Sequence, residues 1–460
     1  MGDGGPAGGI KLHLSSPLER DSYTALSYCW GTAEQLTTTT ATLPLRVTGI
    51  LFQSLPQAVR DAVTVTRGLR IRFLWVDALC IVQDDAADKR AEIQKMGSIY
   101  RNSALTIQAA VSASVQEGFL HVPECRIPIL SPTGDFMTLS ITTMKETLRD
   151  RAWTFQEEVL SPRKLYFGAR SILFDCPTST CEYHNYNFQP TGKLLFPAAL
   201  PYTVFSDHLR YKKPRRSLGK MWADAVRAYS KRSITYPADR LPALAGIAQE
   251  FSCMLGPNDS DYWAGMWRKF AVRHLGWRTR PSRGLTDYKK IDIRHCQRPS
   301  WSWVSLVDAN LEDIEIETDD VFEENAELVG WPSAGDEDDG DDRGAAAFTR
   351  TTGGGLLRLR GKMTSFNTPP RPVPWPWIPR NDWGSVVFYD LGEDICESDY
   401  RYFLLGRTAK KSVVGLILVL DRWGSPDDKS KFLRIGQFRI APSASARFVW
   451  DVEEREVVLV

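Results

Sequence analysis

Tyr23-Thr24-Ala25-Leu26-Ser27-Tyr28-Cys29-Trp30-Gly31 (YTALSYCWG) is an apolar run that stops at a Cys-Trp-Gly tripeptide. Tyr23–Tyr28 reads as a strand, and the segments downstream of it set the architecture. Leu55, Val59, Ala62, Val63 and Thr66 recur at helical spacing, and Ser54 with Gln57 predicts a capping box at their start. Arg72–Val76 (RFLWV) is the next strand, closed by Asp77. Ile93, Met96 and Ile99 mark an amphipathic helix from about Asp88 to Asn102, and Leu105–Ala110 (LTIQAA) reads as a third strand. Leu148–Leu160 reads as a helix with Trp153, Gln156, Glu157 and Leu160 on one side, and Pro162 limits its extension. Lys164–Phe167 and Ser171–Phe174 are further strands. Strands alternating with helices predict a three-layer α/β domain with a mainly parallel sheet.

Beyond this domain the pattern changes twice. Residues from about 217 to 275 read as helical, with Met221, Trp222, Ala225, Val226 and Tyr229 at one spacing and Leu241, Leu244, Ala245 and Ala248 at another. Between Leu311 and Asp342 stand fifteen Asp or Glu and no Lys or Arg, so the run from Gly335 to Gly344 reads as a solvated loop or an acidic interaction tail. From residue 347 onward Leu356–Leu359, Val386–Tyr389, Tyr402–Leu405, Val413–Leu420, Phe432–Phe438 and Val457–Val460 are short strands between turn residues. The expected division is an α/β domain at 10–178, a helical extension at 179–310, an acidic linker at 311–346 and a β-rich unit at 347–460.

Bulk properties narrow the class. A chain of 460 residues with 43% hydrophobic and 25% charged residues has a globular composition, and its length predicts more than one domain. A formal net charge of +1 offers no global field to draw nucleic acid or a membrane. The longest apolar run, Val413 to Leu420, suits a strand and not a membrane span. The Gly-rich start has neither a basic nor an apolar signal region, and Pro6 stands where a myristoylation motif wants Ser or Thr. Eight cysteines without a CxxC pair read as free thiols in a reducing, cytoplasmic setting. Cys176, Cys181 and His184 are the only cluster suggesting zinc, and with no fourth ligand evident no metal site is expected.

Three blocks resemble the signature of the fungal heterokaryon-incompatibility (HET) family: YTALSYCWG at Tyr23–Gly31, FLWVDALCIVQDD at Phe73–Asp85 with EIQKMGSIYRNSALTIQAA at Glu92–Ala110, and RAWTFQEEVLSPRKLYFG at Arg151–Gly168. TYPADRLPALAGIA, YWAGMWRK and RPSWSWVSL, between Thr235 and Leu306, resemble the region that often follows the domain in that family. Lys89 departs from it, standing in a stretch where the family usually carries Trp. The family is thought to be distantly related to Toll/interleukin-receptor (TIR) domains, which implies a TIR-like, flavodoxin-like fold. ALSYCWG resembles the TIR first strand, FLWVD the second strand with its terminal acid, and Trp153-x-x-x-Glu157 the WxxxE pair on the helix that bears the catalytic glutamate of TIR enzymes. Those enzymes cleave NAD at the nicotinamide–ribose bond.

The resemblance implies a protein of fungal non-self recognition and programmed cell death, with Glu157 catalytic and NAD+ as substrate, no cofactor being required. Trp153 and Glu157, four residues apart, project from one helix face and suit a ribose beside a flat ring. Nicotinamide departs neutral from a cationic nitrogen, so one carboxylate that stabilises an oxocarbenium-like transition state suffices, where ordinary glycosides need two. The structural alternative pairs Glu157 or Glu158 with Arg151 or Arg163 and leaves Trp153 in the core. Tyr28, Trp30 and Gly31 follow a strand end, where open α/β sheets bind ligands; they either line a pocket or pack the loop. Asp77 either binds ribose hydroxyls or caps a turn, and Gln83, Asp84 and Asp85 read as a helix cap rather than a metal site. Two other functions stay open: a non-enzymatic TIR-like module that signals by self-assembly with an incompatibility partner protein, and a fold recruited to specialised metabolism.

Overall fold

A computed structural model describes residues 9–16, 18–32, 35–120, 146–169, 171–176, 217–279, 299–305, 314–316, 322–332, 356–364, 401–421, 431–440 and 454–460, and short strands at 2–3, 125–130, 136–141, 180–184 and 187–190. The acidic run at 335–344 and the strand expected at 386–389 lie outside the described residues. Contacts divide the chain into two units, Met1–Ser206 and Asp207–Val460.

The first unit is built on a seven-stranded sheet. In chain order its strands are β1 (Tyr23–Ser27), β2 (Phe73–Trp75), β3 (Leu105–Ala109), β4 (Lys164–Phe167), β5 (Ile172–Asp175), β6 (Thr180–His184) and β7 (Asn187–Pro190). They lie in the order β7-β6-β5-β4-β3-β1-β2. The pairs β1–β2, β1–β3 and β3–β4 are parallel, whereas β4–β5, β5–β6 and β6–β7 are antiparallel. The sheet is therefore parallel through its first four strands, and an antiparallel meander continues it. Helices α1 (Gln57–Gly68), α2 (Asp77–Cys80), α3 (Ala86–Asn102) and α4 (Thr154–Leu160) are interleaved with these strands.

β1 lies between β2 and β3, and Thr24 through Ser27 are each at most 1% exposed, as a central strand of a doubly covered sheet requires. Its side chains alternate between two cores. Leu26 and Tyr28 pack with Val59, Ala62 and Val63 of α1, while Ala25 packs with Met96 and Tyr100 of α3 and with Trp153. Helices thus cover both faces, and the chain reverses its winding between β1 and β3.

Two helix starts differ from expectation. Pro56, not Ser54, is the N-cap of α1; the Ser54 hydroxyl donates to Leu51 O at 2.7 Å inside a 3-10 turn, so no capping box forms. The expected helix Leu148–Leu160 is broken: Leu148–Asp150 is a 3-10 turn, Arg151 is extended, and α4 begins only at Thr154. The Thr154 hydroxyl holds the break, donating to Leu148 O and Arg151 O. Asp85 does cap α3, its side chain accepting from Ala87 N and Asp88 N.

The second unit opens with helices α5 (Leu218–Ser230) and α6 (Pro242–Leu255). The helical character expected to 275 is interrupted by a hairpin, Tyr262–Trp263 with Met266–Trp267, turned by Ala264 and Gly265 at positive φ. The Gly265 carbonyl accepts from both Trp222 Nε1 (3.0 Å) and Trp303 Nε1 (3.1 Å), which anchors a core of large indoles. The C-terminal strands are β8 (Ala326–Gly330), β9 (Leu357–Thr364), β10 (Arg401–Arg407), β11 (Val413–Leu420), β12 (Lys431–Ile440) and β13 (Glu454–Leu459). β9 pairs with β10 as well as β13, so β9-β10-β11-β12-β13 closes on itself like a barrel. Closure removes the free sheet edges that these five strands would otherwise expose. Among the described residues no helix is long and apolar enough to cross a membrane.

Candidate functional site

In open α/β sheets the crevice for a ligand lies at the carboxyl ends of the strands where the winding reverses. Here that point falls between β1 and β3, and the residues just beyond β1 and β2 are Tyr28, Trp30 and Asp77. Asp77 stands one residue beyond the short β2, after Val76, and opens α2. Its Oδ1 accepts from Ala78 N at 2.7 Å and its Oδ2 from Trp30 Nε1 at 2.8 Å. The Tyr28 hydroxyl donates to Gln35 Oε1 at 3.2 Å and also faces Asp77. Burial holds the Asp77 carboxyl above the usual range, against the lowering effect of these donors and of the Arg151 charge.

Glu157 reaches the same place from α4. It is 7% exposed and shares the face of β1 that carries Ser27. Burial pushes its carboxyl up to about 7; the Asp77 charge adds to the rise, and the hydroxyls of Ser27 and Tyr100 with the Arg151 guanidinium oppose it. Tyr100, projecting from α3, donates to Leu26 O at 3.0 Å and stays protonated far above neutral pH because it is buried. The result is a buried carboxyl, a half-buried one, a guanidinium, two phenols and an indole around the end of one strand. A carboxyl that ionises near neutrality in such surroundings can stabilise a developing positive charge or exchange a proton.

The remaining residues singled out in the sequence sit differently. Trp153 packs beside Ala25, Met96, Trp75 and Tyr100, so it backs Tyr100 from the core side. Gly31 has φ +75°, and a methyl there would lie 2.7 Å from Ser114 Oγ and 3.0 Å from Ser114 Cα. It lets the loop after β1 close on the loop after β3, where Val115 N donates to Trp30 O. Glu158 pairs with Arg149 (3.4 Å), a partner other than the Arg151 or Arg163 weighed for it, and the Arg149 guanidinium stacks over Tyr166. Arg151 instead donates to Tyr28 O at 3.0 Å. Sequence reasoning misses Ser27 and Tyr100. Strand parity is the available signal for Ser27, since residue 27 must face away from Leu26 and Tyr28; nothing local marks Tyr100. Among the described residues no group of three or more His, Cys, Asp or Glu is disposed to hold a metal ion.

Fold and site together define an α/β domain with a carboxylate-centred cluster at its switch point. Residues 23–157 match the family model described as "Heterokaryon incompatibility protein (HET)", and the chain therefore carries a HET domain there. Every residue of the cluster, from Ser27 to Glu157, falls within the match. No curated protein matches the chain, and no solved structure does.

Proposed function

We propose that this heterokaryon incompatibility protein acts through hydrolysis of NAD+ by a TIR-like HET domain, depleting the dinucleotide and killing the cell in fungal non-self recognition. The observation that carries the reading is Glu157, a buried carboxyl at the carboxyl end of β1 close to Ser27, Asp77, Tyr100 and Arg151, whose pKa burial pushes up to about 7. In its ionised form it faces the ribose carbon as the bond to nicotinamide lengthens, and it stabilises the oxocarbenium-like charge. Water then adds to that carbon, giving ADP-ribose, neutral nicotinamide and a proton. Asp77 and Tyr28 supply groups for ribose hydroxyls, and Trp30 a flat surface for the ring. The parallel strand order β2-β1-β3-β4 supports the TIR-like, flavodoxin-like assignment. The free thiols of Cys29, Cys80, Cys176, Cys181 and Cys253 support a reducing compartment, the cytoplasm.

A second reading has its own support. Leu14, Leu18, Leu45 and Leu51 are exposed by 62% to 90% in the first unit, apolar groups that self-association through the HET domain would cover. The deciding experiment is NAD+ consumption by wild type and Glu157→Gln at several protein concentrations. The proposal expects turnover in wild type, more steeply than in proportion to concentration if assembly is required, and none in the variant. Equal turnover by both proteins would overturn the assignment of Glu157. Self-association with no NAD+ loss at any concentration would establish the module reading instead.

A further inference from the structure

The cations around α4 are not equivalent. Arg149 pairs with Glu158, and Lys164, 6% exposed in its side chain, pairs with Asp175 at 3.1 Å. A charge removed from water is normally matched in this way. Arg151 is half-buried, yet among the described residues it forms no ion pair, and its hydrogen bond goes to the Tyr28 carbonyl. Asp77 and Glu157 influence it only through longer-range attraction.

Its position is set by the break before α4. Had the helix run unbroken from Leu148, residue 151 would sit inside a helical turn. The extended conformation at Arg151, fixed by Thr154, instead carries the side chain to the end of β1, where Nη1 is tied to Tyr28 O. One edge of the guanidinium is anchored there. The other N–H groups form a planar fork suited to a phosphate. Such a fork beside a ribose-binding carboxyl has an obvious complement, since the phosphate of a nucleotide is joined to the ribose through one carbon.

We propose that Arg151 is the anion-recognition residue of this site and holds the phosphate attached to the ribose of a nicotinamide nucleotide. This rests on the reading of Glu157 as the group that faces the ribose. The site then discriminates nucleotides from nucleosides. Nicotinamide mononucleotide and NAD+ are accepted, and nicotinamide riboside, which lacks the phosphate, is disfavoured.

The test measures binding and cleavage separately, using the full chain with nicotinamide mononucleotide and nicotinamide riboside as probes. By calorimetry, wild type should bind the mononucleotide tighter by a factor on the order of ten to a hundred. In Arg151→Gln that preference should fall close to unity, with the loss appearing in KM rather than kcat wherever turnover is seen. Arg151→Lys keeps the charge without the fork and should retain part of the preference; it also serves if the Gln variant fails to fold. Equal binding of both probes by wild type, binding of neither, or an undiminished preference in Arg151→Gln overturns the proposal. Binding of the mononucleotide without cleavage leaves the anion site standing and removes the hydrolase reading. Cleavage of both probes with equal KM does the reverse.

Discussion

The indole Nε1 of Trp30 donates to Oδ2 of Asp77 at 2.8 Å, joining the loop that leaves β1 to the helix that follows β2. Both residues follow neighbouring parallel strands, so the bond staples two strand ends across the mouth of the cluster. Replacing Trp30 by Phe keeps most of the apolar body and removes the donor. A half-buried carboxyl that loses a partner costs about 1 kcal/mol, so urea unfolding of Trp30→Phe should show a loss of that order. Asp77→Asn keeps an acceptor oxygen for Trp30 and removes a half-buried charge, and it should cost less. A Trp30→Phe protein as stable as wild type would show that the bond is not formed in solution.

Glu157 makes stability depend on pH in a definite direction. Its folded pKa, about 7, lies above the ordinary carboxyl value of 4.5, so the fold favours the protonated form. Its contribution is fully present below about pH 4.5 and is lost as pH rises through about 7, because the unfolded chain ionises first. A difference of this size corresponds to about 3 kcal/mol. Glu157→Gln, which cannot ionise, should therefore gain stability relative to wild type between pH 4.5 and pH 7.5. Unfolding curves for both proteins at the two values measure it, and a pH-independent gap between them would contradict a buried, perturbed carboxyl. If hydrolysis is observed, its rate should rise with pH through the same region, since the ionised form does the work.

Much of this site is legible in the sequence, and the reasons differ residue by residue. Tyr28, Trp30 and Asp77 follow apolar runs that could only be strands, so their place at strand ends is readable from the run lengths. Glu157 is placed by its helical neighbours. Arg151 is misplaced, because the apolar periodicity continues from Leu148 through Leu160 although the backbone does not. The interruption comes from Thr154, whose hydroxyl competes for backbone carbonyls, a tendency that periodicity does not register. Tyr100 is invisible for another reason. It meets Glu157 only because α3 and α4 lie on the same face of β1, a tertiary fact with no local signal. In the second unit the hairpin at Tyr262–Trp267 does have a local signal, the turn formers Gly256 to Asp261 before it and Ala264-Gly265 within it, which a reading of the whole region as helical passes over.

Gly31 ties the loop geometry to a single hydrogen atom. At φ +75° an L side chain is strained, and a Cβ would also press on Ser114 Oγ and on its Cα. Gly31→Ala should destabilise the protein by about 1–3 kcal/mol and loosen the contact between the loops after β1 and β3. Amide exchange at Val115, whose N–H is bonded to Trp30 O, should accelerate more than exchange in α1. Uniform acceleration across both would mean that the glycine supports global stability and has no special hold on the site loops.

His274 gives the second unit an acid sensitivity of its own. The ring is 1% exposed, beside Phe270 and near the Arg273 charge, and burial followed by that charge lowers its pKa from 6.5 to about 3. The fold thus holds a neutral imidazole. Its contribution to stability is present above pH 6.5 and is lost as pH falls toward 3, because the unfolded chain takes up the proton first. By pH 5 the loss should reach about 2 kcal/mol. His274→Phe substitutes a ring that cannot titrate, so its stability should change less than that of wild type between pH 7 and pH 5. Parallel acid profiles for the two proteins would show that His274 is not buried neutral.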